Sequence, residues 1–511
     1  MKLTRRDFLK LSGLLGLAPL IGDARPSRGA VTPAGETPPP NILLFVFDTL
    51  SARHMSLYGY PRETTPHLTL LAAKANVYHR HYAGGSFTTA GTATLLTGTY
   101  PWTHRAFHLY GSVEKSLAGH NLFAGLAGHL PVQTAYTHNP LAQVLLEQCH
   151  ASQKDLRLLP MRELMISANQ YSQSFPHDYE AAFAGEGVAR KVDDPAPPAQ
   201  LLLSVFDYFR QISRIRMIDQ SRHDMFPAGV PRSTHGAFFT VEDVVDWLIP
   251  DLAGRVSPGL TYIHLYPPHE PYLPRQEFHG RFREAAPPAE KPRHHFATPG
   301  LTQAYLNQTR AQYDDFIAYV DAEFGRLMAG LESAGVLENT IVVLTSDHGQ
   351  MFERGIHGHV TPVLYEPLIH IPLLIWLPGQ LTRRDVHALT SAVDVMPTLA
   401  QLAGGMPPAW GEGQPLPGPG DPVGERAVFA MDAKENSKFA PLLKGTFAML
   451  KGQYKIVKYL GYDGFAGQTE SYDLETDPEE LVNLGLGLPA FQKMEQELAA
   501  KINAINLAGS G

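Results

Sequence analysis

The chain has 511 residues, more than the roughly 250–300 that one hydrophobic core usually organises, so a main domain with a smaller companion is expected. Its 44% hydrophobic and 18% charged residues describe a packed globular protein and exclude a disordered or fibrous one. A formal net charge of −8, with no long basic run, argues against nucleic acid or a strongly anionic membrane as the main partner.

At the start, Thr4-Arg5-Arg6-Asp7-Phe8-Leu9-Lys10 precedes an apolar run from Leu11 to Gly22. Paired arginines ahead of a short apolar stretch fit a twin-arginine export signal over residues 1–30, and hence a periplasmic or extracellular protein. The run of 12 residues is too short for a membrane span, which needs about 20, and no transmembrane segment is expected in the mature chain. Cys149 is the only cysteine, so no disulfide can form within the chain.

A Pro-rich linker over 33–40 delivers the chain into Asn41-Ile-Leu-Leu-Phe-Val-Phe-Asp48, an apolar run of strand length that ends on a carboxylate. A helix near Pro66–Ala75 follows, then a loop at Thr88 leading into a helix from about Gly91. This alternation implies an α/β fold with a mostly parallel central sheet and helices on both faces. Residues 150–235, with clustered aromatics and arginines, read as a variable insertion that caps a cleft or simply packs as loops and helices. A strand over Leu260–Tyr266 leads to Pro268-His269, and a Pro-rich loop covers 274–299. A long helix over Gln303–Ala334 is stopped by Gly335. Asn339-Thr-Ile-Val-Val-Leu-Thr-Ser-Asp347-His348-Gly349 is a second apolar strand ending on a carboxylate, now beside an imidazole. After a Gly/Pro linker at 411–424, four short strands and a helix around Ala490–Asn506 read as a small α+β subdomain with an antiparallel sheet. The expected division is 31–410 for a catalytic domain and 411–511 for a C-terminal subdomain.

Apolar strands of this kind are buried on both faces of a parallel sheet, and such sheets bind ligands at the carboxyl ends of their strands. Asp48 and the Asp347-His348 pair are therefore expected to meet around a cation. Hard oxygens with one imidazole suit one divalent ion: Ca, Mg or Mn, with Zn possible. No Asp-x-x-x-His for a second ion is found.

Between the two strand ends lies Gly84-Gly-Ser-Phe-Thr88-Thr-Ala-Gly-Thr92-Ala-Thr-Leu-Leu-Thr-Gly98-Thr-Tyr-Pro101. Thr65-Pro66, Pro268-His269-Glu-Pro-Tyr272, Leu364-Tyr365-Glu366, Val393-Asp394-Val-Met-Pro397-Thr398 and Tyr472-Asp-Leu-Glu-Thr-Asp-Pro478 follow the same order as a known family. From about Asn41 to Leu484 the chain resembles the sulfatase branch of the alkaline-phosphatase-like superfamily. The resemblance implies metal-dependent cleavage of a small anionic ester and puts the nucleophile ten residues before Gly98, at Thr88. Sulfatases carry Cys or Ser there, followed by x-Pro-x-Arg, and convert it to formylglycine. Thr88-Thr-Ala-Gly-Thr92 has no Cys, Pro or Arg, so formylglycine is excluded. An unmodified Thr resembles phosphodiesterases, nucleotide pyrophosphatases and phospho-headgroup transferases of the superfamily, which pass through a phospho-threonine. The Thr88 hydroxyl also suits a cap on the helix that follows, and the two roles are compatible.

By the same resemblance, His269 is the substrate-binding histidine, able to protonate the leaving oxygen. His359 stands where relatives place a Lys or His near the transferring group. His138 or Asn139 falls where sulfatases have Gly-Lys-Trp-His, and Asn139 is taken as substrate-binding. His79 and His81 match no motif and are read as structural or surface residues. Two functions follow: an exported phosphate- or sulfate-ester hydrolase with a Thr nucleophile, or an inactive relative whose cleft binds an anionic glycan or lipid headgroup. A headgroup transferase is a variant of the first. The sequence is silent on oligomeric state.

Overall fold

The computed structural model describes residues 39–166, 212–213, 215–233, 237–255, 258–418, 420–421, 424–438 and 441–508. Residues 1–30, where an export signal is expected, and much of the 150–235 insertion lie outside the described residues.

Asn41–Phe47 forms strand β1, and its side chains alternate between two cores as strand geometry dictates. Leu43, Phe45 and Phe47 point into one hydrophobic cluster, while Ile42, Leu44 and Val46 point into another. Strands Asn76–Tyr78 (β2), Val132–Thr137 (β3), Leu156–Leu158 (β4), Gly259–Leu265 (β5), Thr340–Ser346 (β6), Leu373–Trp376 (β7) and Arg384–Val386 (β8) complete the sheet. Its order is β8-β2-β7-β6-β1-β5-β3-β4. Only β7 runs against its neighbours; the other pairings are parallel.

The described helices include Pro66–Leu71 (α1), Thr88–Thr97 (α2), Pro140–Ser152 (α3), Val241–Ala253 (α4), Gln303–Ser333 (α5) and Val395–Leu402 (α6). Val244, Val245 and Leu248 of α4 and Phe316, Phe324 and Leu327 of α5 pack on the Phe45/Phe47 face. Phe324 meets Phe45 edge-on at 5.3 Å between centroids. Burying each such ring contributes roughly 1.5–3 kcal/mol. Ala93 and Leu96 of α2, Leu145 and Leu146 of α3, and Leu399 of α6 cover the opposite face. Helices thus lie on both faces, as expected from the strand–helix alternation.

Strands Ala427–Asp432 (β9), Gly445–Lys451 (β10), Tyr454–Leu460 (β11) and Thr469–Asp473 (β12) form a separate antiparallel sheet in chain order. Phe447, Met449 and Ile456 face Phe491, Met494 and Leu498 of helix Pro489–Ala508 (α7). Ala448, Leu450 and Val457 pack instead on Tyr365, Leu368 and Ile369. Lys455 Nζ lies 3.0 Å from Glu366 Oε1 and 2.7 Å from Glu480 Oε1, all three side chains being buried. This sheet therefore has two covered faces, one of them supplied by the segment that follows Asp347-His348. Among the described residues, no helix is long and apolar enough to cross a membrane.

Candidate active site

The sheet register gathers the site. Phe47 is level with Leu265 on one side and Ser346 on the other, so Asp48 and Asp347 each stand one residue beyond neighbouring strands. Asp48, Asp347 and His348 are buried, and their ligand atoms lie within 4.8 Å of one another. His348 Nε2 is 3.3 Å from Asp48 Oδ1 and 3.6 Å from Asp347 Oδ2.

The turn after Asp48 is held against its own preference. Thr49 has φ 62, the left-handed region that a β-branched residue rarely adopts. Its N–H donates to Asp347 Oδ1 at 3.3 Å, and its carbonyl accepts from the Tyr313 hydroxyl at 2.6 Å. The next amide, Leu50 N–H, donates to Ser346 Oγ at 2.9 Å. Arg53, five residues after Asp48, pairs with Glu479.

Burial pushes the Asp48 carboxyl up to about 7, reinforced by Asp347 and opposed by His348 and Asn139. Burial also works against charge on His348, but Asp347 and Asp48 outweigh it and push the imidazole up to about 8. Asp48 Oδ1 is buried without a hydrogen bond of good geometry. Two buried carboxylates facing one imidazole are costly unless positive charge joins them. Hard oxygens, one imidazole and an orphaned carboxylate oxygen therefore fit a divalent cation.

Helix α2 brings in the hydroxyl. It begins at Thr88, three residues earlier than the sequence pattern indicated, with Phe87 extended (φ −148, ψ 162) before it and no side-chain cap. The capping role expected for Thr88 is therefore absent. Its Oγ1 instead lies 3.4 Å from His348 Nε2. One turn on, Thr92 Oγ1 lies 3.4 Å from Asp347 Oδ2, a neutral hydroxyl where the resemblance would place Arg. The approach depends on Gly91, since a Cβ there would sit 2.2 Å from the carbonyl oxygen of Asp347. The positive end of the α2 dipole thus faces the cluster.

Asn139 links the cluster to α3. Its Nδ2 donates to Asp48 Oδ2 at 2.5 Å, while its Oδ1 caps the helix, accepting from Leu141 N at 2.8 Å and Ala142 N at 3.2 Å. Both polar ends of this side chain are engaged within the protein. His138 stacks on Phe239 at 4.0 Å and accepts from Tyr266 N.

The rings of His269 and His359 lie 4.7 Å apart, and His359 is also 4.7 Å from His348. Gln350 Oε1 holds His359 Nδ1 at 2.7 Å. Burial, then the neighbouring His348 and His269, keep His359 well below the usual imidazole range. His269 Nδ1 is 2.6 Å from the carbonyl oxygen of Glu270, which can only accept, so Nδ1 carries hydrogen and Nε2 bears a proton only when the ring is charged. His357 turns away to Glu270 at 3.6 Å. His81 is buried beside Thr390, and His79 pairs with Asp385, in keeping with structural roles.

His264 of β5 was not singled out from sequence, yet its Nε2 lies 3.6 Å from Asp347 Oδ2. The available signal was a titratable residue inside an otherwise buried strand, a placement that needs a reason.

Comparison with known proteins gives the lineage. The sulfatase family profile matches residues 40–406, and the profile for the C-terminal part of N-sulphoglucosamine sulphohydrolase matches 355–507. Arylsulfatase K of Bos taurus is 28% identical over 225 residues, which cover 42% of this chain and 40% of that protein. The chain therefore aligns with about two-fifths of that relative's length. The N-acetylgalactosamine-6-O-sulfatase of Bacteroides thetaiotaomicron is 24% identical, the alignment covering 91% of this chain and 93% of that one. In fold, the phosphonate monoester hydrolase of Agrobacterium radiobacter superposes with a TM-score of 0.64 at 19% identity, covering 92% of this chain and 96% of that one. A protein solved with its substrate D-glucosamine-2-N,6-O-disulfate gives 0.61 at 17% identity, over 92% and 98% of the two chains. With its profile spanning the sheet, both strand-end carboxylates and the Thr88 helix, the chain belongs to the sulfatase family of the alkaline-phosphatase-like superfamily.

Proposed function

We propose that this protein is an exported, single-metal hydrolase that cleaves a phosphate diester or sulfate ester through Thr88, without formylglycine. The observation that carries the reading is the placement of Thr88 Oγ1 3.4 Å from His348 Nε2, in the first turn of a helix aimed at the carboxylate pair. Relatives named as sulfatases and phosphonate monoester hydrolases support ester hydrolysis as the reaction class.

Asp48, Asp347 and His348 would hold the divalent ion, whose charge would offset the carboxylates and favour binding of an anionic ester. Thr88 Oγ forms the new bond to phosphorus or sulfur, the bond to the leaving oxygen breaks on the far side, and the Thr88 proton passes to solvent. His269, in its protonated form, gives the Nε2 proton to the departing oxygen and takes one back from solvent. Water then cleaves the Thr88 adduct and restores the hydroxyl. His359 and Asn139 complete the assignment, His359 beside the transferring group and Asn139 bracing Asp48 next to it.

Thr92 favours one other reading. A neutral hydroxyl where an Arg would grip the anion is also what a fold retained only for binding an anionic glycan or lipid headgroup would show. Turnover separates the two. Purified protein, stripped and reloaded with Mn²⁺, Mg²⁺, Ca²⁺ or Zn²⁺, is assayed on aryl phosphate diesters and aryl sulfates. Metal-dependent turnover of either class is expected; none with any ion would favour the binding protein, and transfer to an added alcohol in preference to water would make it a transferase.

A further inference from the structure

Asp347 has a neighbour that the metal cluster does not use. His264 is fully buried, and its Nε2 lies 3.6 Å from Asp347 Oδ2 without a hydrogen-bond partner. The other ring nitrogen, Nδ1, is 3.2 Å from the hydroxyl of Tyr262, which is also fully buried. Tyr262 precedes His264 by two residues on β5, so both side chains project from one face of the strand.

That pairing fixes the proton. When the tyrosine hydroxyl donates to Nδ1, a neutral imidazole keeps its hydrogen on Nε2, facing the carboxylate. The opposite tautomer would aim a lone pair at Asp347 Oδ2, setting two acceptors against each other where burial leaves no water to relieve them. A protonated ring would donate from Nε2 as well.

The two oxygens of Asp347 are treated differently. Oδ1 accepts from the backbone N–H groups of His348 at 2.9 Å and Thr49 at 3.3 Å. Oδ2 faces His348, Thr92 and His264. Oδ2 is thus the oxygen that faces the other ligand atoms, and a donor beside it would brace this carboxylate as Asn139 braces that of Asp48.

We infer that His264 is a positioning residue whose Nε2–H faces Asp347 Oδ2 and so orients this ligand, with Tyr262 setting its tautomer. The inference rests on the reading of Asp48, Asp347 and His348 as a metal site. Its test is Mn²⁺ binding to metal-stripped protein, followed by electron paramagnetic resonance, in wild type, His264→Phe, His264→Gln and Tyr262→Phe. Wild type is expected to bind one equivalent. His264→Phe should bind about 10- to 100-fold more weakly, the usual cost of removing a donor behind a metal ligand. His264→Gln, whose amide keeps a donor, should recover most of that loss, and Tyr262→Phe should fall between. Urea unfolding of the metal-free proteins reports on folding separately. If His264→Phe does not fold, Tyr262→Phe, which lacks one hydroxyl, carries the test, and unchanged affinity there overturns the inference. A folded His264→Phe with wild-type affinity overturns it too and leaves the metal site standing. Wild type that binds no Mn²⁺ overturns both. Two equivalents in wild type, falling to one in His264→Phe, would make His264 a direct ligand and overturn the donor role.

Discussion

Thr88 Oγ1 and His348 Nε2 lie 3.4 Å apart, although 260 residues separate them in the chain. The contact joins the first turn of α2 to the end of β6, and it sets the proposed nucleophile against one of the groups that would hold the ion. Thr89, the next residue, is equally buried, but its hydroxyl has no hydrogen-bond partner.

These neighbours give a matched pair of variants. Thr88→Ala should lower kcat by roughly 10³-fold or more, the scale seen when a covalent route is removed. Thr88→Ser should keep part of the activity and Thr89→Ala most of it. Intact-mass analysis during turnover of a slow diester should find a phosphoryl group on Thr88. An essential Thr89 beside a dispensable Thr88 would contradict the assignment.

Gly91 gives a second prediction. A methyl group there must displace the backbone of Asp347, because the clash is with a carbonyl oxygen 2.2 Å away and not with a flexible side chain. Gly91→Ala should cost about 1–3 kcal/mol in urea unfolding, the range for overpacking, and should weaken Mn²⁺ binding as well. Gly128→Ala, where a Cβ meets nothing within 4 Å, is the control. Equal behaviour of the two variants would mean that α2 can shift freely.

Acid should destabilise the protein through buried histidines outside the Asp48, Asp347 and His348 cluster. Burial holds His81, and separately His104, down to about 3. Between pH 6.5 and that value the unfolded chain takes up a proton that the folded chain refuses. The stability these residues contribute is therefore present above pH 6.5 and is lost as pH falls, by about 1.4 kcal/mol per pH unit for each fully shifted histidine. Urea unfolding midpoints measured from pH 7.5 to 4.5 should fall accordingly, and His81→Gln should flatten the slope. A slope unchanged in that variant would show that His81 titrates normally in the fold.

Export is predicted to need Arg5 and Arg6 together. With both changed to Lys, the folded protein should stay in the cytoplasm, as read by fractionation of a bacterial host. Undiminished periplasmic accumulation would argue against the twin-arginine reading.

Much of the site was legible because its signals are local. Asp48 and Asp347 end apolar runs, and a parallel sheet brings such ends to one edge. What the sequence hid depends on distant packing. Thr88-Thr-Ala-Gly is a weak helix opening by propensity, so the early start of α2 reflects its contact with Asp347. For Asn139, nothing local reveals that its amide meets Asp48, 91 positions earlier. His264 was masked by its strand, whose apolar character says that a side chain is buried but not what it faces.

Lys455 carries a consequence for how the chain is made. Glu366 leaves the ribosome 89 residues before Lys455, and Glu480 comes later still. Until then the segment just after Asp347-His348 has a buried carboxylate without its cation and a sheet face without its cover. The packing of this segment is therefore completed only by residues late in the chain. The candidate site near the start of the fold thus packs beside strands made last, and a chain cut short before β11 should lose Mn²⁺ binding together with the packing around Glu366.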